Sequence, residues 1–268
     1  MSEHNTAVQP LLEAQGICKY FGGLKAVENV DMKIFPGDIF GIIGPNGAGK
    51  TTFFNMCTGI FPPTKGKIFF AGEDITALSP EHVAQKRIAR TFQNLQLFKF
   101  MTVLENVKIG CHIKTKSNML DAIFHTRTYK QAESFSTEKS LEILKKIGLY
   151  ENRDVLAGNL SYGMQRKVEI ARALALDPKI LLLDEPAAGM NPLETQSLME
   201  FIKSLNRDGY TIAVIEHDMK FIMGSCNRIL VLNFGQKIME GTPEQVKSNP
   251  DVQSAYFGKS MVTGEASR

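Results

Sequence analysis

Residues 44 to 52 read Gly44-Pro45-Asn46-Gly47-Ala48-Gly49-Lys50-Thr51-Thr52, and no other stretch so narrows what this chain can fold into. Two glycines with four residues between them, then a lysine and a hydroxyl residue, form the pattern of a phosphate-binding loop. Such a loop works between a strand and a helix, and both are in place. Asp38 to Ile43 is a short apolar run that reads as a strand, and Thr51 to Ile60 reads as a helix. The glycines allow the backbone to curl with its N–H groups toward phosphate oxygens. The helix N-terminus adds partial positive charge. Lys50 is then placed to reach β- and γ-phosphates, and Thr51 to ligate Mg²⁺. The residues predict a chain that binds a nucleoside triphosphate with Mg²⁺.

The rest of the chain supplies the sheet this loop requires. The segments 38–43, 180–183 and 211–216 are almost wholly apolar, as expected of parallel strands covered on both faces. Helical patterns lie between them, including Gly163 to Ala175 and Pro192 to Leu205, the second with proline at its start and Gly209 beyond its end. From Leu11 to Phe35, and again from Gly66 to Ala71, the pattern is that of antiparallel strands. Between Asn94 and Arg166 the strand signal disappears, and helices are expected at Val103–Gly110 and Tyr129–Ile147, with a looser stretch at Cys111–Thr128. The predicted fold is α/β: a P-loop NTPase core around a mainly parallel sheet, an antiparallel β subdomain and an inserted α-helical subdomain. The expected boundaries are 11–92 with 168–257 for the core and β subdomain, 93–167 for the helical subdomain, and frayed ends at 1–10 and 258–268. Met119, Ile123 and Phe124 read as internal packing of the insert rather than a membrane-touching surface.

Composition removes several classes. A chain of 268 residues with 43% hydrophobic content can bury one sizeable core. The net charge of +3 is interspersed, so no nucleic-acid partner is expected. Four scattered cysteines, Cys18, Cys57, Cys111 and Cys226, suggest reduced thiols and neither a zinc site nor a disulfide framework. The N-terminus lacks the features of a signal peptide. Apolar runs stop far short of the ~20 residues of a membrane span, so any service to a membrane is expected through partners.

Other residues carry chemistry at telling positions. Asp184 ends the apolar run Ile180–Leu183, where a buried carboxylate is costly without a partner. Glu185 follows it, a candidate general base or water-orienting carboxylate. His217 follows the strand Thr211–Ile215, at the sheet end where α/β proteins bind ligands. His4, His82, His112 and His125 sit in polar contexts and are assigned no role. Ser161 and Gly163 precede a helix start, and a serine cap, a glycine and a helix N-terminus make an anion site.

Taken in order, these segments resemble the ATPases of the ABC family. Asn159-Leu-Ser-Tyr-Gly-Met-Gln-Arg-Lys167 resembles the signature, Ile180-Leu-Leu-Leu-Asp-Glu-Pro186 the Walker B strand, Gln93 in Thr91-Phe-Gln93 the Q-loop, and His217 in Glu216-His-Asp218 the switch histidine. The resemblance implies that Asp184 holds Mg²⁺ through water opposite Thr51, that Gln93 touches Mg²⁺ or the attacking water, and that His217 meets the γ-phosphate. It implies that Ser161, Tyr162 and Gly163 serve the ATP of an opposite subunit, two chains enclosing two nucleotides. It also implies an aromatic adenine platform about 29 residues before the loop lysine, which places Phe21 there with Tyr20 as the alternative. Three positions depart from the family pattern: Tyr162 replaces the first signature glycine, Met164 the glutamine, and Asn191 a common aspartate.

A finer resemblance runs from Leu12 to Gly258. Gly44 to Asn55, Arg90-Thr-Phe-Gln-Asn94, Leu160-Ser-Tyr-Gly163, Glu185-Pro-Ala-Ala-Gly-Met-Asn-Pro192, Ile215-Glu-His-Asp-Met219 and Gly241-Thr-Pro-Glu244 look like the larger ATP-binding subunit of high-affinity branched-chain amino acid importers. The long insert at 111–136 and the ending Ala255-Tyr-Phe-Gly258 fit it as well. By that resemblance the partners are a homologous ATPase subunit, two integral-membrane permeases and, indirectly, a periplasmic solute-binding protein, with the chain on the cytoplasmic face of the inner membrane. The alternatives are a urea or amide importer subunit, a lipopolysaccharide-export ATPase, which shares the Gly-Thr-Pro ending without the insert, and a soluble non-transport ABC ATPase. The last would show tandem cassettes, a coiled-coil insertion or zinc-ligand cysteines.

Overall fold

The computed structural model describes residues 9–111 and 126–257; the expectations for 1–8, 112–125 and 258–268, including Met119, Ile123 and Phe124, lie outside the described residues. The chain divides into two compact units, one from Met1–Val83 with Ile202–Arg268, the other Ala84–Phe201.

The first unit holds two sheets. β1 (Leu12–Phe21) and β2 (Leu24–Ile34) pair antiparallel, with Leu12 opposite Ile34 and Phe21 opposite Leu24. β4 (Lys65–Phe70) pairs antiparallel on the other edge of β1, and the two-residue β5 (Glu73–Asp74) closes the order β2-β1-β4-β5. Alternation explains the arrangement, since Val30, Met32 and Ile34 are buried while Asp31 and Lys33 face outward. The second sheet centres on β3 (Ile39–Ile43), flanked in parallel by β8 (Thr211–Ile215) and β9 (Arg228–Asn233). β10 (Gln236–Gly241) returns antiparallel to β9. β3 and β8 are buried at every position, the physical reason for their unbroken apolar runs.

Helices fill this unit. α1 (Lys50–Cys57) buries Phe53, Phe54, Met56 and Cys57. α2 (Pro80–Gln85) follows β5. Beyond β8 comes a helix whose N-cap, Asp218, accepts from the N–H groups of Lys220 and Phe221. Past β10, Thr242 and Gln245 form a reciprocal capping box with Pro243 at the first helical position. The Gly241-Thr-Pro-Glu segment is therefore a helix start.

The second unit has a parallel pair, β6 (Ile88–Arg90) with β7 (Ile180–Asp184), and a helical part. Here α3 (Val103–Ile109) begins in a capping box between Thr102 and Glu105, and α4 (Arg127–Lys146) starts on Thr126. α5 (Tyr162–Leu174) starts on Ser161, and α6 (Pro192–Arg207) follows β7. Between β6 and β7, the only strand-like pairing among the described residues is one isolated bridge, Thr102 to Leu156. In chain order the remaining helices of the first unit are α7 (Met219–Ser225), α8 (Pro243–Ser248) and α9 (Pro250–Phe257). Among the described residues, no helix is long and apolar enough to cross a membrane. The four cysteines are free and buried.

Candidate functional site

In the first unit, the loop from Gly44 to Gly49 leaves β3 and enters α1. Its backbone shape demands glycine at two points. Gly49 has a φ of +94°, and a Cβ there would lie 2.5 Å from the Ala26 carbonyl oxygen. A Cβ on Gly44 would lie 2.2 Å from the Leu232 carbonyl oxygen. The loop is thus pressed against β2 and β9, with no room for a side chain at either end. Pro45 is half-buried, Asn46 and Gly47 are exposed, Ala48 is buried, and Thr51 and Thr52 follow on the first turn of α1, Thr51 exposed. Lys50 is buried, yet its ammonium is satisfied, Nζ donating to the carbonyls of Gly44 at 2.7 Å and Pro45 at 3.0 Å. A buried ammonium beside the curled backbone of the loop is favourably placed for an anion.

Two aromatics lie at the end of β1, and their environments differ. The Tyr20 hydroxyl donates to Glu28 Oε1 at 2.7 Å. That bond raises the Tyr20 pKa above the usual phenol range, while Lys25 and then Tyr20 hold the Glu28 carboxyl below its ordinary value. Phe21 has no hydroxyl to commit, and the Lys19 ammonium lies 5.3 Å from its ring centre. Its ring is 46% exposed and meets Phe61 edge-on, with centroids 5.5 Å apart at 87°. The Lys19 ammonium sits 4.6 Å from the Phe61 ring centre. An exposed aromatic face beside a cation is a surface on which a flat heterocycle can stack.

His217 stands at the C-terminal end of β8 with 59% of its side chain exposed, its Nδ1 3.7 Å from the buried Glu216 carboxylate. The backbone N–H of His217 donates to the same carboxylate at 3.2 Å.

In the second unit, the end of β7 collects the charged groups. Asp184 is 2% exposed, and its Oδ2 accepts from Arg90 Nη2 at 2.7 Å. Its Oδ1 is buried with no hydrogen-bond partner among the described residues. Glu185 has a φ of +45°, a conformation that side chains other than glycine adopt at a cost of about 1–3 kcal/mol. Its Oε2 accepts from the Gln93 amide at 2.9 Å. The structure therefore brings Gln93 and Glu185 together across 92 residues of sequence.

The residues at the start of α5 also converge on the loop after Glu185. Ser161 Oγ accepts from the Met164 N–H at 3.4 Å. A Cβ on Gly163 would meet Glu194 Oε1 at 3.2 Å, and one on Gly189 would lie 3.7 Å from the Tyr162 ring. Asn191 holds that loop by accepting from the N–H groups of Leu193 and Glu194, each at 3.0 Å, so the amide performs the capping that an aspartate would.

Sequence reasoning quoted Arg90 only as part of a motif and gave it no role. Its partner lies 94 residues away, and the one local signal is an arginine closing a short apolar triplet. Arg166 and Glu169 were also passed over.

Metal chemistry can be tested against the donors. Among the described residues, no three His, Cys, Asp or Glu side chains form a cluster able to hold a metal. The unpartnered Asp184 Oδ1 is one hard oxygen, which suits a cation that keeps most of its waters, as Mg²⁺ does.

A phosphate loop between β3 and α1, and paired carboxylates ending a parallel strand, define a P-loop nucleotide-binding ATPase. The family described as "ABC transporter" matches residues 27–188, and "Branched-chain amino acid ATP-binding cassette transporter" matches 236–261. The chain is 45% identical over 252 residues to the high-affinity branched-chain amino acid transport ATP-binding protein LivG of Escherichia coli K12, covering 94% of this chain and 99% of the relative. Identity to the corresponding BraF protein of Pseudomonas aeruginosa is 44% over the same span. A solved ATP-binding cassette of an ABC transporter in its ADP conformation superimposes with a TM-score of 0.82 at 36% identity, covering 94% of this chain and all of that one. A cassette solved as a post-hydrolysis dimer with ADP and Pi gives 0.71 at 28% identity, covering 87% and 98%. The chain belongs to the ABC transporter family, as one of its ATP-binding cassettes. It binds nucleotide and hydrolyses ATP.

Proposed function

We propose that this chain energises uptake of branched-chain amino acids from the cytoplasmic face of the inner membrane, as the larger of two homologous ATPase subunits. The observation that carries this reading is its likeness, over nearly its full length, to LivG and BraF. The two ATPase subunits enclose two nucleotides, dock on two integral-membrane permeases, and answer to a periplasmic solute-binding protein. The division of labour follows the expected boundaries, with 11–92 and 168–257 binding ATP and 93–167 meeting the permeases.

Roles follow from chemistry. Backbone N–H groups from Gly44 to Thr52 cradle the phosphates, and Lys50 exchanges its carbonyl partners for β- and γ-phosphate oxygens. Phe21 stacks on adenine, because it is half-exposed beside Lys19 and the Tyr20 hydroxyl is committed to Glu28. Thr51, Gln93 and Asp184 Oδ1 are the oxygens that hold Mg²⁺, directly or through water. When bound, Mg²⁺ would supply positive charge to offset the negative charge that develops on the phosphates. Glu185 orients the attacking water and draws off its proton, and Gln93 fixes the Glu185 carboxylate. His217 donates a hydrogen bond to the γ-phosphate. Ser161, Tyr162 and Gly163 present the α5 N-terminus to the ATP of the opposite subunit. A cleft of about 450 Å³ lined by Phe92, Gln96, Leu97, Phe98 and Arg172, with Phe100 93% exposed beside it in sequence, supports docking of a permease helix near 94–104.

Phe21→Ala is expected to weaken ATP binding by roughly 1–3 kcal/mol, the range for a base stacked on an aromatic ring. Calorimetric titration checks it; full affinity in Phe21→Ala with a large loss in Tyr20→Ala would move the platform to Tyr20. The transport reading is tested by purifying the tagged chain from native membranes and assaying uptake in a deletion strain. Recovery of two permeases and a second ATPase, with loss of leucine, isoleucine and valine uptake, is expected. Loss of urea uptake alone, or lipopolysaccharide-export partners, would replace it.

A further inference from the structure

Arg166 and Glu169 take no part in these roles, yet they form a deeply buried ion pair. One turn apart on α5, with side chains 0% and 2% exposed, they meet at 2.7 Å. Burying such a pair is expensive, and apolar residues of similar size often serve stability as well or better. What the pair holds is therefore informative. Arg166 Nη1 donates to the Phe92 carbonyl at 2.9 Å and Nη2 to the Gln93 carbonyl at 3.0 Å. Glu169 Oε1 accepts from the Gln96 N–H at 3.1 Å. Both charges thus close on the one loop that carries Gln93, whose side chain reaches Glu185. Arg166 Nη2 also donates to the Tyr162 hydroxyl at 3.3 Å, and the Tyr162 ring lies over Gly189, on the loop just past Glu185. Tyr162, which replaces a signature glycine, is the side chain that joins these two loops. The flat guanidinium fork meets four acceptors through two nitrogens held apart in one plane, whereas an ammonium offers three donors from a single point.

We propose that the Arg166–Glu169 pair is a positioning device for hydrolysis: it fixes the 92–96 loop so that the Gln93 amide holds Glu185, and Tyr162 extends the same constraint to the loop after Glu185. This rests on the roles given to Gln93 and Glu185 above. The test uses the full-length chain together with the homologous ATPase subunit recovered from native membranes, and four measurements: thermal unfolding, ATP affinity, kcat and KM. The double variant Arg166→Met/Glu169→Met removes both charges at similar volume, so neither is left buried alone. It is expected to keep its fold and ATP affinity while kcat falls about 10²-fold, the cost of displacing a catalytic group by about an ångström. Arg166→Lys keeps the charge but not the fork and is expected to lose most of the same rate at unchanged KM; should the double variant fail to fold, this single variant decides.

Combination with Gln93→Ala separates positioning from mere packing. Independent sites combine to within about twofold of additivity, whereas the proposal expects a joint loss close to the larger single loss. Parental kcat in the folded double variant, or in Arg166→Lys, or full multiplication with Gln93→Ala, would overturn the proposal. Glu185→Gln serves as the control. If it hydrolyses ATP at the parental rate, the assignment of Glu185 fails and the positioning role with it. If it is slow while the Met/Met variant is fast, the positioning role alone fails.

Discussion

Lys50→Ala is expected to bind ATP so weakly that saturation is out of reach at ordinary concentrations. The substitution removes the one ammonium enclosed by the loop, where it already lies against the Gly44 and Pro45 carbonyls. Truncating one partner of a buried, hydrogen-bonded charge pair costs roughly 2–5 kcal/mol. That corresponds to about 30- to 5,000-fold in Kd. Lys50 also ties down its own loop, so thermal unfolding without nucleotide belongs beside the titration. A melting point near the parental value together with lost affinity assigns the effect to phosphate recognition; affinity within a few-fold of the parent would contradict that role.

Glu185→Gln is expected to do the reverse. The amide keeps the size and the strained backbone position of Glu185 and can still accept from Gln93. It cannot take a proton from water. ATP affinity should stay at the parental level while hydrolysis falls ~10²–10⁴-fold, the range for removing a general base. Titration with single-turnover hydrolysis on both variants separates the two residues. Equal loss of nucleotide affinity in Lys50→Ala and Glu185→Gln would defeat the division of roles.

The contrast between these residues shows what the sequence could reveal. The phosphate loop was legible because its chemistry is local: glycines, lysine and threonine are adjacent, and the strand and helix they need are the next segments along. β3, β7 and β8 were legible because burial on both faces leaves unbroken apolar runs. β6 was missed because three residues carry no periodicity, and its identity comes from pairing with β7 some ninety positions on. The hairpin of β9 and β10 was missed too, although β9 is an apolar run, because its place depends on register with β3. Side-chain partners were least legible. Neither Arg90 with Asp184 nor Arg166 with the 92–93 carbonyls leaves a sequence pattern, since each joins segments more than seventy residues apart. Tyr162 read as a lost glycine, whereas folding gives its hydroxyl and ring separate tasks. Spacing put Phe21 ahead of Tyr20, and the physical contrast between them, the bond from Tyr20 to Glu28 and the edge-on contact of Phe21 with Phe61, appears only in the fold.

The central claim is that ATP joins this chain to a homologous ATPase through Ser161, Tyr162 and Gly163, and that Glu185 then hydrolyses it. Light scattering on Glu185→Gln tests this most directly, with and without ATP, alone and with the ATPase subunit recovered from native membranes. The account predicts a monomer without nucleotide and a two-chain mass when ATP and the second subunit are both present. Ser161→Arg should abolish the two-chain species by placing bulk and charge where the opposite γ-phosphate is met. A stable dimer of this chain without nucleotide, indifferent to Ser161→Arg, would contradict it.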